Sequence, residues 1–255
     1  MKKISLILTC FAVGALLSFS AAQPTAPATM PAPPAHVDAS APIPKKDNGA
    51  FVKRHESFLA RAKAGPIGLL FLGDSITDGW SHAPHIWQAY YDKFHPANFG
   101  IGGDTTQNVI WRIEQGELGG IHPRVVVLML GTNNTRTHSA EEIFAADKKI
   151  VELIRAKIPE TKVLLLAIFP RGDRKNRDGS IDSSEQKMAI IHAVNVGLAK
   201  LDDGKNIRYL DIGAHFLGQD GKIPFAIMPD QLHPNAAGYQ LWADAMQPLL
   251  DEMMK

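Results

Sequence analysis

One cysteine in 255 residues removes several chemistries at once. Cys10 lies in an apolar run near the N-terminus, so the rest of the chain cannot build disulfide frameworks, zinc–cysteine sites or a catalytic thiol. An excess of one charge is also lacking: 27 Lys and Arg face 26 Asp and Glu, a formal net of +1. No Lys/Arg block exceeds a pair or two, which leaves the chain without the electrostatic footprint of a nucleic-acid binder. It equally lacks a polybasic anchor for an anionic membrane. Internal repeats are missing too. With 45% hydrophobic residues, the composition is that of an ordinary globular core.

Lys2 and Lys3 precede an apolar run from Ile4 to about Phe19, followed by Ser20, Ala21 and Ala22. A cationic start, an apolar centre and small residues at a cleavage point predict a signal peptide over residues 1–22, cut near Ala22. The expectation is an exported chain, periplasmic or secreted, with no stable membrane insertion after cleavage. The run is shorter than the ~20 residues a spanning helix needs, and Cys10 sits mid-run in a poor match to a lipobox. Residues 23–46 carry Pro24, Pro27, Pro31, Pro33, Pro34, Pro42 and Pro44. Such a stretch favours extended, semi-rigid chain and reads as a spacer. One folded domain is expected over 47–255.

Within that domain, short apolar runs at 67–72, 97–101, 125–130, 163–168 and 207–210 alternate with longer segments of helical spacing. The latter lie around 51–64, 86–94, 106–115, 140–158, 185–201 and 236–253. Val125 to Leu130 is apolar on both faces, as a strand covered by helices on each side must be. Strand–helix alternation of this length predicts an α/β fold, a three-layer α/β/α domain around a five-stranded parallel sheet of flavodoxin-like type. Function in such sheets gathers beyond the carboxyl ends of the strands.

Those ends carry Gly73-Asp74-Ser75, Gly102-Gly103-Asp104 and Gly131-Thr132-Asn133-Asn134, and Asp230-Gln231-Leu232-His233 precedes the last helix. Each part has an ordinary alternative, such as a helix cap for Ser75 or a turn former for Asn133. Together they supply a nucleophile, a base, a group to orient the base, and amide donors, which are the parts acyl transfer needs.

Gly73-Asp74-Ser75, Gly103, Asn133 and the Asp230/His233 pair resemble, in order, the four blocks of the SGNH (GDSL) hydrolases. The stretches 98–106 and 131–134 are most similar to the catalytic subunits of platelet-activating-factor acetylhydrolase. The resemblance covers roughly residue 67 to the C-terminus. It implies Ser75 as nucleophile, His233 as general base and Asp230 as its orienter. It further implies an oxyanion hole from the Ser75 and Gly103 backbone amides and the Asn133 side chain, with no metal and no cofactor. In the acetylhydrolase branch three positions crowd the acyl group; the matching residues here are Ile76, Thr132 and Leu232, all branched.

Other signals are weaker. Thr77 stands where the Gly-x-Ser-x-Gly elbow needs glycine, and Thr105 where a dinucleotide loop needs its third glycine. Arg174 occupies the first ligand position of an otherwise calcium-like 174–185 loop (Asn176, Asp178, Gly179, Glu185). His82 and His85 lack further clustered ligands. Trp87, Trp111, Trp242 and Met129 read as core; Trp80 either packs under the nucleophile loop or lines the substrate entrance. The expected function is an exported serine esterase acting on short acyl groups, O-acetyl groups of carbohydrates first. A phospholipid or lysophospholipid acyl hydrolase is the alternative, and a non-catalytic glycan-binding module is a third reading. The expected partner is a small-molecule or glycan ester.

Overall fold

Helix α5 (Ala140–Lys157) illustrates how local sequence starts an element here. Ser139 accepts from the Glu142 amide at 3.3 Å, and the Glu142 carboxylate accepts from the Ser139 amide at 2.8 Å. This reciprocal box satisfies two of the donors a helix start leaves open. The apolar positions that follow, Ile143, Ala146, Ile150 and Ile154, are all fully buried. Their spacing of three and four turns one stripe to the sheet.

A computed structural model describes residues 36–255; the expected signal peptide and residues 23–35 of the expected spacer lie outside them. Residues Val37–Lys255 form one compact unit. Its strands are β1 (Leu69–Gly73), β2 (Pro96–Gly100), β3 (Val125–Met129), β4 (Lys162–Leu166), a hairpin of β5 (Arg174–Lys175) and β6 (Ile181–Asp182), and β7 (Ile207–Leu210). The other helices are α1 (Ala50–Lys63), α2 (Ser75–Asp78), α3 (Pro84–Tyr91), α4 (Thr106–Glu114), α6 (Glu185–Leu198) and α7 (Ala236–Met253). The main sheet is parallel in the order β2-β1-β3-β4-β7. The expected three-layer, five-stranded architecture is therefore present.

Alternation along the strands sorts the core into two layers. Leu70, Leu72, Val126, Leu128, Val163 and Leu165 face a cluster that includes residues of α1, α4, α5 and α6. Leu69, Phe71, Val125, Val127, Leu164 and Leu166 face a second cluster with α3 and α7. Trp80 lies in this second layer, 1% exposed, with ring centroids 4.6 Å from Tyr239 and 5.1 Å from Trp242. Of the two readings of Trp80, packing beneath the nucleophile loop is the one the structure shows.

One segment differs from the sequence expectation. Residues 37–46, read as spacer, form a strap docked on the domain. Ala39 is fully buried, its carbonyl accepts from Thr106 Oγ1 at 2.8 Å, and the Ile43 amide donates to the Gln107 carbonyl at 3.2 Å. Pro42 and Pro44 are compatible with this because they follow the Asp38–Ala41 turn in a stretch that joins no helix or sheet, so a missing N–H costs little. The 174–185 segment, weak as a calcium loop in sequence, carries the β5–β6 hairpin, where Asp178 accepts from the Ser180 amide and hydroxyl at 3.0 and 2.7 Å.

The position of β1 locates the site. Its two neighbours, β2 and β3, lie on opposite sides of it, so the connections that follow β1 and β3 run towards opposite edges of the sheet and open a crevice at its carboxyl end. Ser75 is the first helical residue beyond that end.

Candidate active site

Between β1 and α2 the chain turns within one residue. Asp74 is fully buried, and its Oδ1 accepts from the Ile76 amide at 2.9 Å, capping the short helix. Gly73 is required by contact: a Cβ there would stand 2.2 Å from Thr77 Oγ1 and 2.5 Å from the Met129 carbonyl oxygen. The turn sends the Ser75 side chain outward while Ile76 goes into the second core layer.

Opposite stands the loop before α7. Asp230 Oδ1 accepts from the Leu232 and His233 amides at 3.1 and 2.7 Å, so the aspartate folds its own loop. Its Oδ2 accepts from His233 Nδ1 at 2.7 Å. This fixes the ring orientation and assigns the proton to Nδ1, which leaves Nε2 as the acceptor. Nε2 lies 2.9 Å from Ser75 Oγ, across 158 residues of sequence. A hydroxyl at this distance can hand its proton to the ring as it attacks a carbonyl carbon. The Tyr239 hydroxyl, from α7, donates to the Ile76 carbonyl at 2.7 Å and ties the two segments together.

Arg174, on β5, donates from Nη2 to Asp230 Oδ2 at 2.8 Å and from Nε to the Asp230 carbonyl at 3.0 Å. Burial alone would raise the Asp230 pKa. The hydrogen bonds from His233 and the charges of His233 and Arg174 outweigh it and hold the carboxyl well below the usual carboxylate range. Asp230 therefore stays ionised wherever His233 can act as a base. Sequence reading missed Arg174, and its only signal was its failure as a calcium ligand.

Gly103 sits in the turn after β2 with φ +75°, a conformation that glycine adopts without a Cβ penalty. Asn133 Nδ2 donates to the Asp104 carbonyl at 2.8 Å and lies 3.4 Å from Asp74 Oδ2. The Asn133 amide is thus anchored on the same turn as Gly103. Behind it, Arg112, 0% exposed, donates from Nε to Asp104 Oδ2 at 3.0 Å and pairs with Glu117. Glu117 Oε2 is 3.1 Å from His55 Nδ1.

The three positions expected to crowd the acyl group fare differently. Ile76 and Leu232, 1% and 4% exposed, belong to the second hydrophobic layer beneath the loops. Their branched side chains pack against the buried aromatic residues of that layer. Thr132 is 2% exposed, and its Oγ1 makes no hydrogen bond.

Two more carboxyls lie beneath the crevice. Burial raises Asp74 to about 7, with Asp104 adding to the effect. Asp147, from α5, is pushed well above the usual range by burial and by Asp74, and neither of its oxygens has a partner. Its native form is the protonated one, whereas the unfolded chain ionises near pH 4. Its stability contribution is therefore complete below about pH 4 and lost as pH rises through the folded value. Asp147→Asn mimics the protonated form at every pH. Its Tm should match the wild type near pH 4 and exceed it increasingly toward pH 8. A Tm difference that does not change with pH would contradict this.

A profile of the GDSL-like lipase/acylhydrolase family matches residues 71–241. The chain is 35% identical over 215 residues to human platelet-activating factor acetylhydrolase IB subunit alpha1, covering 83% of this chain and 89% of that protein. The rat alpha2 subunit is 34% identical over 206 residues, covering 80% and 85%. Among solved structures, a GDSL-like lipase from Bacteroides thetaiotaomicron superposes with a TM-score of 0.61 at 19% identity, covering 78% of this chain and 97% of its own. An acetylxylan esterase from Geobacillus stearothermophilus gives 0.50 at 21% identity, covering 74% and 95%. The sheet order, the placement of Ser75 beyond β1 and these likenesses lead to one conclusion: the chain belongs to the GDSL-like lipase/acylhydrolase family and is a carboxylic ester hydrolase.

Proposed function

We propose that the chain is an exported serine esterase that removes acetyl groups from oxygen, with carbohydrate esters as its first substrate class. The observation that carries the mechanism is the continuous hydrogen-bond path Ser75 Oγ–His233 Nε2, His233 Nδ1–Asp230 Oδ2, at 2.9 and 2.7 Å. Ser75 Oγ attacks the ester carbonyl carbon while its proton passes to His233 Nε2. The oxyanion that forms is met by the Ser75 and Gly103 amides and by the second Asn133 amide hydrogen. On collapse the C–O bond to the alcohol breaks, and the alcohol takes the proton from His233. His233 then deprotonates water, which attacks the acetyl-enzyme; the bond from the acyl carbon to Ser75 Oγ breaks, Oγ takes the proton back from His233, and acetic acid leaves. Asp230 stays ionised throughout and stabilises the imidazolium formed in each half.

Acetyl as the acyl group is favoured by the relatives at 34–35% identity, which are acetylhydrolase subunits. Carbohydrate as the leaving group is favoured by the export signal read in residues 1–22, since export brings the enzyme to glycans outside the cytosol. No helix among the described residues is long and apolar enough to cross a membrane. The second reading, an acetylated phospholipid as substrate, is favoured by the same relatives, whose names state platelet-activating factor. Acetate release from acetylated xylan, pectin fragments and O-acetyl sialic acids, measured beside release from an acetylated lysophospholipid, tests the choice. Glycan turnover at least ~10-fold faster in kcat/KM is expected. Faster turnover of the lipid would overturn the carbohydrate assignment and leave the esterase mechanism standing.

A further inference from the structure

We propose that Lys45, carried by the strap, is a positioning residue that holds the Gly102–Gly103–Asp104 turn in the shape that presents its amide to the oxyanion. The proposal rests on the reading of Gly103 and Asn133 as oxyanion donors. Lys45 Nζ donates to the Gly102 carbonyl at 2.6 Å and pairs with Asp104 Oδ1 at 2.6 Å. Those two groups flank Gly103, and the ammonium stands 3.7 Å from where a Cβ on Gly103 would be. One ammonium thus spans the turn. The Asp104 carbonyl also anchors the Asn133 amide at 2.8 Å, so Lys45 restrains the seat of both donors.

Charge gives a second reason. Asp104 and Glu117 are both 0% exposed, and among the described residues the guanidinium buried against both is that of Arg112. With His55, 3.1 Å from Glu117 Oε2, in its neutral form, one guanidinium against two carboxylates leaves a net negative charge under the turn, beside the place where an oxyanion would form. Lys45, whose side chain is 19% exposed, is the cation that balances it. Without it the oxyanion would develop next to an uncompensated buried carboxylate, the opposite of what a preorganised site needs. An exposed ion pair would contribute little, but Asp104 is not exposed.

The strap is built to deliver this side chain. Asn108 Nδ2 donates to the Ile43 carbonyl at 2.9 Å, and Lys149 Nζ donates to the Ser40 carbonyl at 2.9 Å. With the Ala39 and Ile43 backbone contacts to Thr106 and Gln107, the strap grips the start of α4, just beyond the turn. The matched family profile starts at residue 71, so this support comes from outside it.

The test uses the full chain with Lys45→Met, Lys45→Arg and, for comparison, Asn133→Ala. Turnover is measured on p-nitrophenyl acetate, and binding is measured with an aryl trifluoromethyl ketone. Ser75 Oγ adds to the carbon of that ketone, its proton goes to His233, and the hemiketal oxygen occupies the oxyanion position. Lys45→Met should lower kcat by about 10- to 100-fold with KM within about twofold, because displacement of a catalytic group is felt in the chemical step. Ketone affinity should fall by a similar factor, and Lys45→Arg should regain most of both. If Lys45→Met will not fold, Lys45→Gln takes its place against the same rescue. A kcat within twofold of wild type, a loss confined to KM, or a loss that arginine fails to rescue while ketone affinity holds would each overturn the proposal. If Lys45→Met is silent while Asn133→Ala loses activity, only the role of Lys45 falls. If Asn133→Ala is silent too, the oxyanion reading falls and the role of Lys45 falls with it.

Discussion

Ser75→Ala and His233→Ala are each expected to lower kcat by roughly 10⁴-fold or more, and the double variant should be little worse than either single one. The reason is the shared proton. Ser75 Oγ and His233 Nε2 lie 2.9 Å apart, and the hydroxyl is a poor nucleophile unless that nitrogen receives its hydrogen as the new bond forms. Removing either partner abolishes the same step, so removing the second costs almost nothing further. Asp230→Asn should be milder than either, because the ring then loses its preferred tautomer while a proton acceptor survives. The measurement is a pair of single variants and their double on p-nitrophenyl acetate, with folding checked by circular dichroism. Losses that multiply in the double variant would mean that the two residues act in different steps.

Asn133→Ala carries the second large effect, roughly 10²–10³ in kcat, about 3–4 kcal/mol, with KM nearly unchanged. Its amide nitrogen has two hydrogens. One is held by the Asp104 carbonyl at 2.8 Å; the other faces Asp74 Oδ2 across a long 3.4 Å gap, a contact weak enough to give up to a stronger acceptor. A full negative charge on the substrate oxygen is such an acceptor, and it exists only as the transition state is approached. The substrate in its ground state gains little from the amide, which is why KM should hold. A change confined to KM would make Asn133 a substrate-binding residue.

Much of this was legible in the chain because parallel sheets covered on both faces leave a plain signature. Val125–Met129 is apolar throughout, and it became the central strand at its expected place. The Asp230 loop was legible for a similar reason: an aspartate three residues before a histidine can close on it without help from elsewhere, and it does so through the Leu232 and His233 amides. What escaped were contacts whose partners are far apart in sequence and whose residue types are common on surfaces. Lys45 reaches Gly102 across 57 residues and Arg174 reaches Asp230 across 56; nothing in their neighbourhoods marks either as more than a solvated charge. The strap escaped because proline-rich composition describes extended chain, and extended chain can dock as well as dangle. The packing of Ile76 and Leu232 was not legible, because a branched side chain beside a catalytic residue can face the substrate or the core. Both belong to the buried layer that holds Trp80, Tyr239 and Trp242.

The hydroxyl of Tyr239 on the Ile76 carbonyl has a bearing on how such an enzyme can diversify. The nucleophile and its base come from two pieces of chain only, and the helix that carries this tyrosine begins three residues after the histidine. The spacing that matters most for turnover is therefore fixed by a joint inside the protein's interior. The rim, which includes the tip of the β5–β6 hairpin beyond Arg174 and the exposed Phe225, is not part of that joint. Insertions, deletions and exchanges along the rim can be sampled without resetting the distance between hydroxyl and imidazole. A lineage built this way can trade one alcohol for another while inheriting its reactive centre unchanged.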